Sequence, residues 1–389
     1  MPTMSVINDM AENKSSRRAF LSGKSAADAL GDALAGPPPP LPPPSSVVGV
    51  QPGSHLLSVS REAMACLFEV VFDATNRDAT EAAVTALELV AALEGQLTIY
   101  RDTSEIADIN RRAFDQPVAV ESGLFALLQR AIKLSEETNG AFDITAGRLS
   151  KTWGFFRRQG QMPAETDVAE ALATVGSQYL ELDDATKTVR FQKTGLELNL
   201  GAIGKGYALD RAADLLIASG LSDFLIHGGN SSVLARGTRM KDEGGRMSNE
   251  VKIRDSAFSL QPSAFAWSIA LRHPLKPDIR LAEFFLHDQA LGTSGSGTQF
   301  FHHQGKRYGH IIDPRSGWPA EKVLSATVIA PNAEQADALS TAFYVAGLEL
   351  AQNYCQQHPE ISALVTTQSG PAGIELHPVN LSPDSWRRL

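Results

Sequence analysis

One carboxylate and one hydroxyl near the carboxyl terminus are spaced to face the same way. Asp337 and Thr341 lie four residues apart in a segment whose apolar pattern predicts a helix, so both oxygens project from one face. Asn332 and Gln335 have the spacing of a capping box, which defines where this helix starts. A magnesium ion suits such a sparse oxygen set, because Mg²⁺ completes its octahedron with phosphate oxygens and water. A solvated helix face is the alternative interpretation.

A glycine-rich turn is the second candidate feature. Residues 201–206 read Gly-Ala-Ile-Gly-Lys-Gly between a predicted strand and a predicted helix. Backbone N–H groups in such a turn, together with the amino terminus of the helix, can bind a phosphate. The turn lacks the Ser or Thr that follows Gly-Lys in a P-loop, and its glycines are not spaced as in a dinucleotide fingerprint. It therefore predicts either an anion site or a tight packing turn.

Residues 310–317 bring an imidazole, a carboxylate and a guanidinium close together, from His310, Asp313 and Arg315. Such a cluster could position a phosphate and handle a proton. The dipeptides Asp313-Pro314 and Ser316-Gly317 are also ordinary turn residues, so turn chemistry is the competing interpretation.

Aromatic residues occur in a predicted loop and helix-start setting, beside the Asp143 carboxylate at Phe142 and again at Trp153-Gly154-Phe155. Aromatic faces suit a flat ring system such as isoalloxazine or adenine, although packing in the core would explain them equally well. The histidines, including His302 and His303, lack the spacing of zinc ligands.

The elements that must position these residues follow from hydrophobic periodicity. Helices are predicted over 79–94, 122–138, 167–174 and 207–218, with a last long helix after Pro331. Strands are predicted over 68–72, 179–182, 188–192, 196–200, 224–227, 251–254, 266–271, 282–286 and 324–330. Many strand pairs are joined too briefly for parallel crossovers, so the fold class is α+β with largely antiparallel or mixed sheets.

Composition excludes several classes of protein. The 389 residues carry a formal net charge of -9, which argues against a nucleic-acid surface because that surface needs clustered Lys and Arg. The only cysteines, Cys66 and Cys355, are too few for a cysteine-rich zinc site or a disulfide framework. No apolar stretch approaches the roughly 20 residues that a membrane-spanning helix requires.

The amino-terminal segment 1–53 is predicted to be a disordered lead and a proline-rich linker, because it has few large apolar residues and contains the run 37–44. Arg17-Arg18 resembles a twin-arginine export signal, but Lys24, Asp28 and Asp32 interrupt the apolar region that should follow. The location therefore stays open, with the cytoplasm slightly favoured over periplasmic export. The folded domain is predicted over 54–389.

The order of the motifs resembles the ApbE family of flavin transferases. The matching blocks spread over about Met64 to Gly347. They are Met64-Ala65-Cys66, Leu97 to Arg101, Ala141 to Gly147, Trp153 to Phe155, Leu200 to Ala208, Asp210 to Ala212, Gly228-Gly229, Thr293 to Gly295, Gly305 to Tyr308, His310 to Gly317, Thr327 to Pro331 and Ala336 to Leu339. Each block is weak alone, and their shared order makes chance similarity improbable.

The resemblance implies a two-lobed α+β protein with FAD in a cleft between the lobes and Mg²⁺ at the pyrophosphate. The residues implied to contact FAD are Met64, Tyr100, Ala141, Phe142, Asp143, Asn199, Lys205 and Ile312. The implied metal ligands are Asp337, Thr341 and the backbone oxygen of Ala202. His310 is the candidate for proton handling or phosphate contact, and Asp337 is the other candidate catalytic residue.

The implied reaction is an Mg²⁺-dependent transfer of FMN from FAD to a Ser or Thr hydroxyl of an acceptor flavoprotein, with release of AMP. The family pattern has Asp where Asn199 and Asn230 stand, and Gly-Thr where Ala65-Cys66 stands. Loss of two carboxylates bears on the acid/base chemistry and on flavin affinity. Two further hypotheses remain open at this point: an FAD pyrophosphatase that yields FMN and AMP, and a non-catalytic flavin-binding protein.

Overall fold

The computed structural model of the chain describes residues 47–50, 56–76, 78–157, 159–238, 251–252, 259–260, 266–295, 297, 299–370 and 373–389. The chain divides into two units, Met1–Pro44 and Ser45–Leu389. The predicted lead 1–53 lies outside the described residues except for 47–50, which form the first strand.

The helices along the described residues are α1 (Ala79–Leu97), α2 (Glu105–Arg112), α3 (Ser122–Glu137), α4 (Gly147–Thr152), α5 (Glu165–Leu172), α6 (Gly204–Ala218), α7 (Ala333–Ala346) and α8 (Leu348–Gln357). Short 3₁₀ turns cover Phe155–Arg157 and Ser177–Tyr179. Each main helix buries an apolar stripe, as Leu87, Val90 and Leu97 do in α1.

The strands are β1 (Val47–Val50), β2 (Leu56–Ala63), β3 (Cys66–Asp73), β4 (Val118–Ala119), β5 (Leu180–Asp183), β6 (Thr188–Phe191), β7 (Phe224–Gly228), β8 (Ser232–Arg236), β9 (Val251–Lys252), β10 (Ser259–Leu260), β11 (Trp267–His273), β12 (Lys276–Leu286), β13 (Ala290–Gly295), β14 (Phe300–His303), β15 (Lys306–Gly309), β16 (Ser325–Ala330), β17 (Ser362–Ser369), β18 (Gly373–Val379) and β19 (Trp386–Arg388).

A nine-stranded sheet of order β1-β2-β3-β7-β8-β13-β16-β17-β18 forms the centre of the fold, and its neighbouring strands pair antiparallel. Three-stranded sheets β11-β12-β19 and β4-β6-β5 and the hairpins β9-β10 and β14-β15 complete the strands. The predicted α+β class with antiparallel sheets is confirmed, whereas the two lobes and the cleft between them stay a prediction.

The central sheet is covered on both faces because its side chains alternate. Phe68 and Val70 point into the large core shared with α1, α3, α6 and α7. Val71 and Leu225 point to the opposite face, which packs against the β11-β12-β19 sheet. The face that carries α6 and α7 holds the candidate metal residues.

Two predicted elements differ from the observed ones. Helix α1 does not stop at Gly95 but continues to Leu97, because the buried Leu97 extends its apolar stripe. The predicted strand 196–200 is an extended segment with one isolated bridge, Ala146↔Glu197. Its alternating leucines are buried, but the side chain of Asn110, rather than a paired strand, binds the backbone of Leu198.

The remaining predicted elements differ only at their ends. Helix α6 begins at Gly204 rather than at residue 207, and α5 spans Glu165–Leu172 rather than 167–174. The strand predicted over 251–254 is described only at 251–252, and the rest lies outside the described residues. Within the described part of the chain, no helix combines the length and the apolarity needed to span a bilayer.

Candidate metal and flavin site

Asp337 is buried between α6, α7 and β8, with 5% of its surface exposed. Its Oδ2 accepts a hydrogen bond from the backbone N–H of Gly206 at 2.7 Å, and its Oδ1 accepts one from Ser232 Oγ at 2.6 Å. Because the Asp337 carboxylate is buried and hydrogen-bonded, the interpretation of Asp337 as part of a solvated helix face is wrong. The helix starts where the sequence predicts it, since Asn332 Oδ1 accepts a hydrogen bond from the N–H of Gln335 at 2.8 Å.

The charge of Asp337 has little local compensation. Burial raises the pKa of its carboxyl, and the nearby Lys205 ammonium opposes that shift. Within the described residues, no Lys, Arg or His nitrogen lies within 4.0 Å of this carboxylate. A buried anion held only by two neutral donors fits a bound cation, because a cation would offset the cost of removing the carboxylate from water.

Thr341 follows Asp337 by one helical turn and is partly exposed. Its Oγ1 lies 3.3 Å from the carbonyl oxygen of Asp337 and 3.1 Å from Oγ of Ser294 in β13. Ser294 also contacts Ser340 Oγ at 2.9 Å. These contacts hold the Thr341 hydroxyl against the backbone carbonyl of Asp337 and against β13, one helical turn after Asp337.

Two glycines allow α7 to approach its neighbours closely. A Cβ added to Gly206 would lie 2.0 Å from the carbonyl oxygen of Ala333, and one added to Gly292 would lie 2.5 Å from that of Ala336. Gly206 is thus a packing glycine whose N–H also binds Asp337. Ala202 lies in the turn 201–203, immediately before α6. Its carbonyl is therefore four residues before Gly206, whose N–H binds Asp337.

The protein oxygens do not form a complete metal cage. Over the described residues, no group of three His, Cys, Asp or Glu side chains could hold a metal ion. A site with Asp337, Thr341 and one backbone oxygen leaves room for phosphate oxygens and water, which is the usual arrangement for Mg²⁺ bound together with a nucleotide.

Lys205 places a positive charge next to three other residues. Its ammonium acts electrostatically on Asp337, Cys66 and His310. Burial raises the pKa of the Cys66 thiol to about 11, so this thiol is neutral at physiological pH. Cys66 packs against Gly229, whose added Cβ would lie 3.2 Å from Sγ. The charge of Lys205 therefore acts on two candidate site residues, Asp337 and His310, and on Cys66 at the start of β3.

His310 is oriented by one backbone contact. Its Nδ1 lies 3.2 Å from the carbonyl oxygen of Gln299, which can only accept, so Nδ1 carries the proton. Burial lowers the pKa of His310, so the neutral ring dominates at pH 7 and Nε2 has a bare lone pair. The Phe155 ring packs edge-on, 6.4 Å from the imidazole. His310 is therefore suited to accept a proton at Nε2.

The residues that follow His310 make contacts that stabilise the turn after it. Asp313 and Arg315 form a two-point ion pair, with Nε at 2.8 Å and Nη2 at 2.7 Å. Trp153 Nε1 donates to the carbonyl of Gly317 at 2.8 Å. Ile312 packs in the small cluster around Trp153. Turn chemistry thus explains residues 313–317, while His310 remains the chemical candidate of this segment.

Four predicted flavin contacts differ widely in exposure. Tyr100 is 62% exposed, and its ring lies 4.8 Å from that of Phe156. Ala141 and Phe142 are buried in the core. The Asp143 carboxylate accepts hydrogen bonds from protein groups, including the N–H of Thr145 at 2.8 Å. Asp143 therefore organises its own loop.

Two further predicted flavin contacts, Met64 and Asn199, lie in turns, as does Asn230, which stands where the family has Asp. Met64 occupies the β2-β3 turn with a φ of 48°, and the following Ala65 has a φ of 60°. Asn199 accepts a hydrogen bond from the N–H of Gly201 at 2.9 Å and so shapes the glycine-rich turn. Asn230 is exposed just after the Gly228-Gly229 pair.

Sequence reasoning missed Ser232 as the partner of Asp337. The only signal was its place shortly after the Gly228-Gly229 pair, which identifies neither the hydroxyl nor its target. Ser294 lay within a block that matched the family, but its contact with Thr341 could not be read from that block. Both serines are recognised only through strand pairing that brings β8 and β13 against α7.

Comparison with known proteins identifies the family of the chain. The model of the ApbE family matches residues 64–365. The chain belongs to the ApbE family. An ApbE-family relative from Treponema pallidum, named FAD:protein FMN transferase, is 32% identical over 304 residues, which cover 75% of this chain and 79% of the relative.

Solved ApbE structures share the fold. The ApbE protein from Thermotoga maritima has a TM-score of 0.69 at 26% identity, covering 86% of this chain and 97% of that one. A mutant of the flavin transferase ApbE from Vibrio cholerae has a TM-score of 0.70 at 24% identity, covering 84% and 98%. The matched ApbE region contains every residue discussed above for the metal and flavin site.

Proposed function

We propose that this protein transfers FMN from FAD to a Ser or Thr hydroxyl of an acceptor flavoprotein, with Mg²⁺ bound at Asp337 and Thr341. The observation that carries the proposal is the buried Asp337 carboxylate, which has two neutral donors and no ion-pair partner within the described residues. Membership of a family whose relatives are named FAD:protein FMN transferase supports the same reaction.

A phosphoryl transfer requires positive charge around the pyrophosphate and correct positioning of the reacting groups. Lys205, in the first turn of α6, would supply a positive charge that suits the FAD pyrophosphate. Mg²⁺ would neutralise negative charge on the pyrophosphate as the bond to AMP breaks. The low demand for covalent chemistry from the protein agrees with a site that mainly positions and neutralises its substrate.

His310 has the geometry of a general base in this reaction. Its Nε2 lone pair takes the proton of the acceptor hydroxyl, whose oxygen forms the new bond to the FMN phosphorus. The bond between that phosphorus and the AMP phosphate oxygen breaks, and AMP leaves with the electron pair. The hydrogen bond from Nδ1 to Gln299 keeps the imidazole in the required tautomer during this step.

The deciding experiment incubates the purified chain with FAD and Mg²⁺, with and without an acceptor domain that carries a Ser/Thr flavinylation motif. AMP release and the intact mass of the acceptor are measured together. We expect an FMN-sized mass gain and equal AMP release in the wild type. Asp337→Ala should lower the rate on the order of 10³-fold, because the metal contributes several kcal/mol to the transition state. Glu349→Ala, which removes an exposed carboxylate at the start of α8, is the matched control and should keep full activity.

The other outcomes separate the alternatives. AMP release without a mass gain would identify an FAD pyrophosphatase in which water replaces the acceptor hydroxyl. FAD that stays intact while bound, in the presence of a competent acceptor, would identify a flavin-binding protein. Full activity of Asp337→Ala would overturn the assigned metal site.

A further inference from the structure

A charged cavity of about 380 Å³ lies beside the first turn of α7, next to α3, α6 and the end of β8. Its charged lining residues are Arg130, Asp210, Arg211, Asp214, Arg236 and Glu334. None of them belongs to the metal and flavin site described above. Three of them, Asp210, Arg130 and Arg236, contact the start of α7 or the residue before it, and so bear on where Asp337 is placed.

Asp210 binds the start of α7 with both carboxylate oxygens. Oδ1 accepts from the N–H of Ala333 and Oδ2 from the N–H of Glu334, each at 2.8 Å. These N–H groups belong to the first turn, where a helix has no internal acceptors for them. Asp210 therefore adds a side-chain cap from another helix to the local cap from Asn332.

The same two helices meet again one turn away. Gly206 precedes Asp210 by four residues on α6, and its N–H binds Asp337, which follows Ala333 by four residues on α7. The two contacts are thus successive rungs between antiparallel helices, because residues four apart share one helix face. A shift of α7 at the Asp210 rung moves Asp337 relative to Gly206.

Two arginines brace the same turn from other elements. Arg130 of α3 makes a two-point ion pair with Glu334, with both nitrogen–oxygen distances at 2.7 Å. Arg236 at the end of β8 lies with its Nη2 3.4 Å from the carbonyl oxygen of Pro331. Of these contacts, only the one from Asp210 joins α7 to the helix that also binds the Asp337 carboxylate.

We propose that Asp210 is a positioning residue for the metal site, which fixes the register of α7 against α6 and so sets the Mg²⁺ affinity of Asp337 and Thr341. This inference rests on the proposed function, since it assigns Mg²⁺ to these two residues. Residues that orient metal ligands through a second contact commonly change metal affinity by about 10-fold to 100-fold when they are removed.

The test compares Asp210→Asn and Asp210→Ala with Asp214→Asn in the full chain. Asp214 lines the same cavity on α6, and within the described residues no hydrogen bond or ion pair joins it to α7, so it controls for loss of a charge there. Binding of Mn²⁺ in the presence of FAD is measured by electron paramagnetic resonance, and the Mg²⁺ dependence of AMP release is measured in parallel. Mn²⁺ is the probe because it accepts the same oxygen ligands.

We expect Asp210→Ala to weaken Mn²⁺ binding and raise the half-saturating Mg²⁺ concentration about tenfold, with kcat restored at high Mg²⁺. Asp210→Asn keeps one acceptor oxygen and should fall between Asp210→Ala and the wild type. Hydrogen exchange should become faster at the amides of Ala333 and Glu334, and Asp214→Asn should match the wild type.

Acidity provides a second readout. The pKa of Asp210 is raised to about 7, mainly by burial; the N–H groups of Ala333 and Glu334 oppose this rise, the charge of Glu334 adds to it and that of Arg236 opposes it. Arg130 also interacts electrostatically with Asp210, and Arg211, Asp214 and Tyr207 are the other titratable or charged groups that line this cavity. Protonation removes the charge that attracts the two N–H groups, so Mn²⁺ affinity of the wild type should fall as the pH drops through 7 more steeply than that of Asp210→Asn.

Each outcome has one meaning. A wild type that binds no Mn²⁺ with FAD would refute the assigned metal site, whatever the Asp210 variants do. A wild type that binds Mn²⁺, with folded Asp210 variants that bind it equally well, would refute the positioning role. A lower melting temperature with unchanged Mn²⁺ binding would show that Asp210 only stabilises the fold, and would refute that role as well.

Discussion

The α6–α7 side of the site and the His310 side are held in different ways. On the first, Asp337 is buried and receives hydrogen bonds from a helix backbone and from a neighbouring strand, while glycines bring the elements into close contact. On the second, His310 sits on a turn held by an ion pair, a tryptophan hydrogen bond and aromatic edges.

The difference matches the demands of the two chemical roles. A metal carboxylate must stay fixed while the ion and the pyrophosphate enter, so contacts from several rigid elements suit it. A proton acceptor for a protein hydroxyl must leave its reacting nitrogen accessible, and a single backbone contact on Nδ1 achieves this. We therefore expect changes on the His310 side to affect rate, and changes on the α6–α7 side to affect stability and metal binding together.

The largest effect on rate should come from His310→Gln. Loss of the Nε2 base should lower kcat on the order of 10³-fold, with FAD affinity nearly unchanged, because the ring contributes to proton transfer rather than to ground-state binding. His302→Gln, at an exposed site in β14, is the matched control. A comparable loss in both KM and stability would assign His310 to the structure of the turn instead.

The pH dependence of kcat tests the same residue. The pKa of His310 lies below its ordinary value because of burial, so the neutral base persists as the pH falls to mildly acidic values. At lower pH the ring takes up a proton at Nε2 and kcat should decrease. This acid limb should be absent in His310→Gln, and its persistence in the variant would assign it to another group.

Gly206→Ala should disrupt the packing of α6 against α7. Its methyl group would lie 2.0 Å from the carbonyl of Ala333, so α6 and α7 would have to separate. We expect the free energy of unfolding to fall by about 3 kcal/mol, as for overpacked core positions, with a higher half-saturating Mg²⁺ concentration for the residual activity. Thermal and chemical denaturation measure the first effect and a Mg²⁺ titration of AMP release the second.

Gly204→Ala provides the control on the same helix. A Cβ there would have its nearest neighbours at 3.9 Å, which is ordinary van der Waals contact. Alanine should be tolerated or slightly stabilising at that position, since it has the higher helix propensity. Equal destabilisation by both variants would mean that the helix start, rather than the close approach to α7, requires glycine.

The sequence predicts the parts of this site that depend on local spacing. Asp337, Thr341 and the Asn332 cap follow from positions within one helix. The hydroxyl of Ser232 lies 105 residues from Asp337 in sequence, and only the sheet order brings them together. The prediction of a strand over 196–200 was wrong. Its leucines alternate because one side of the segment is buried, although no named strand of the described residues pairs with it.

The smallest effect should come from Ala65→Gly, in the hairpin turn beside Cys66. Met64 and Ala65 both have positive φ values, as a two-residue turn between β2 and β3 requires, and only glycine adopts this conformation without steric cost. Glycine at residue 65 should therefore raise the free energy of unfolding by about 1 kcal/mol. Gln304→Gly, at a φ of 50° in the β14-β15 turn, should give a similar gain and serves as the control.

The KM of Ala65→Gly for FAD shows whether this turn affects flavin binding as well as stability. If the strain at Ala65 is confined to the backbone, Ala65→Gly gains stability without a change in the KM for FAD. A lower KM in Ala65→Gly, absent from Gln304→Gly, would show that the turn next to Met64 limits flavin binding. The β2-β3 turn would then couple stability to the affinity for FAD, as the α6–α7 side is expected to couple stability to metal binding.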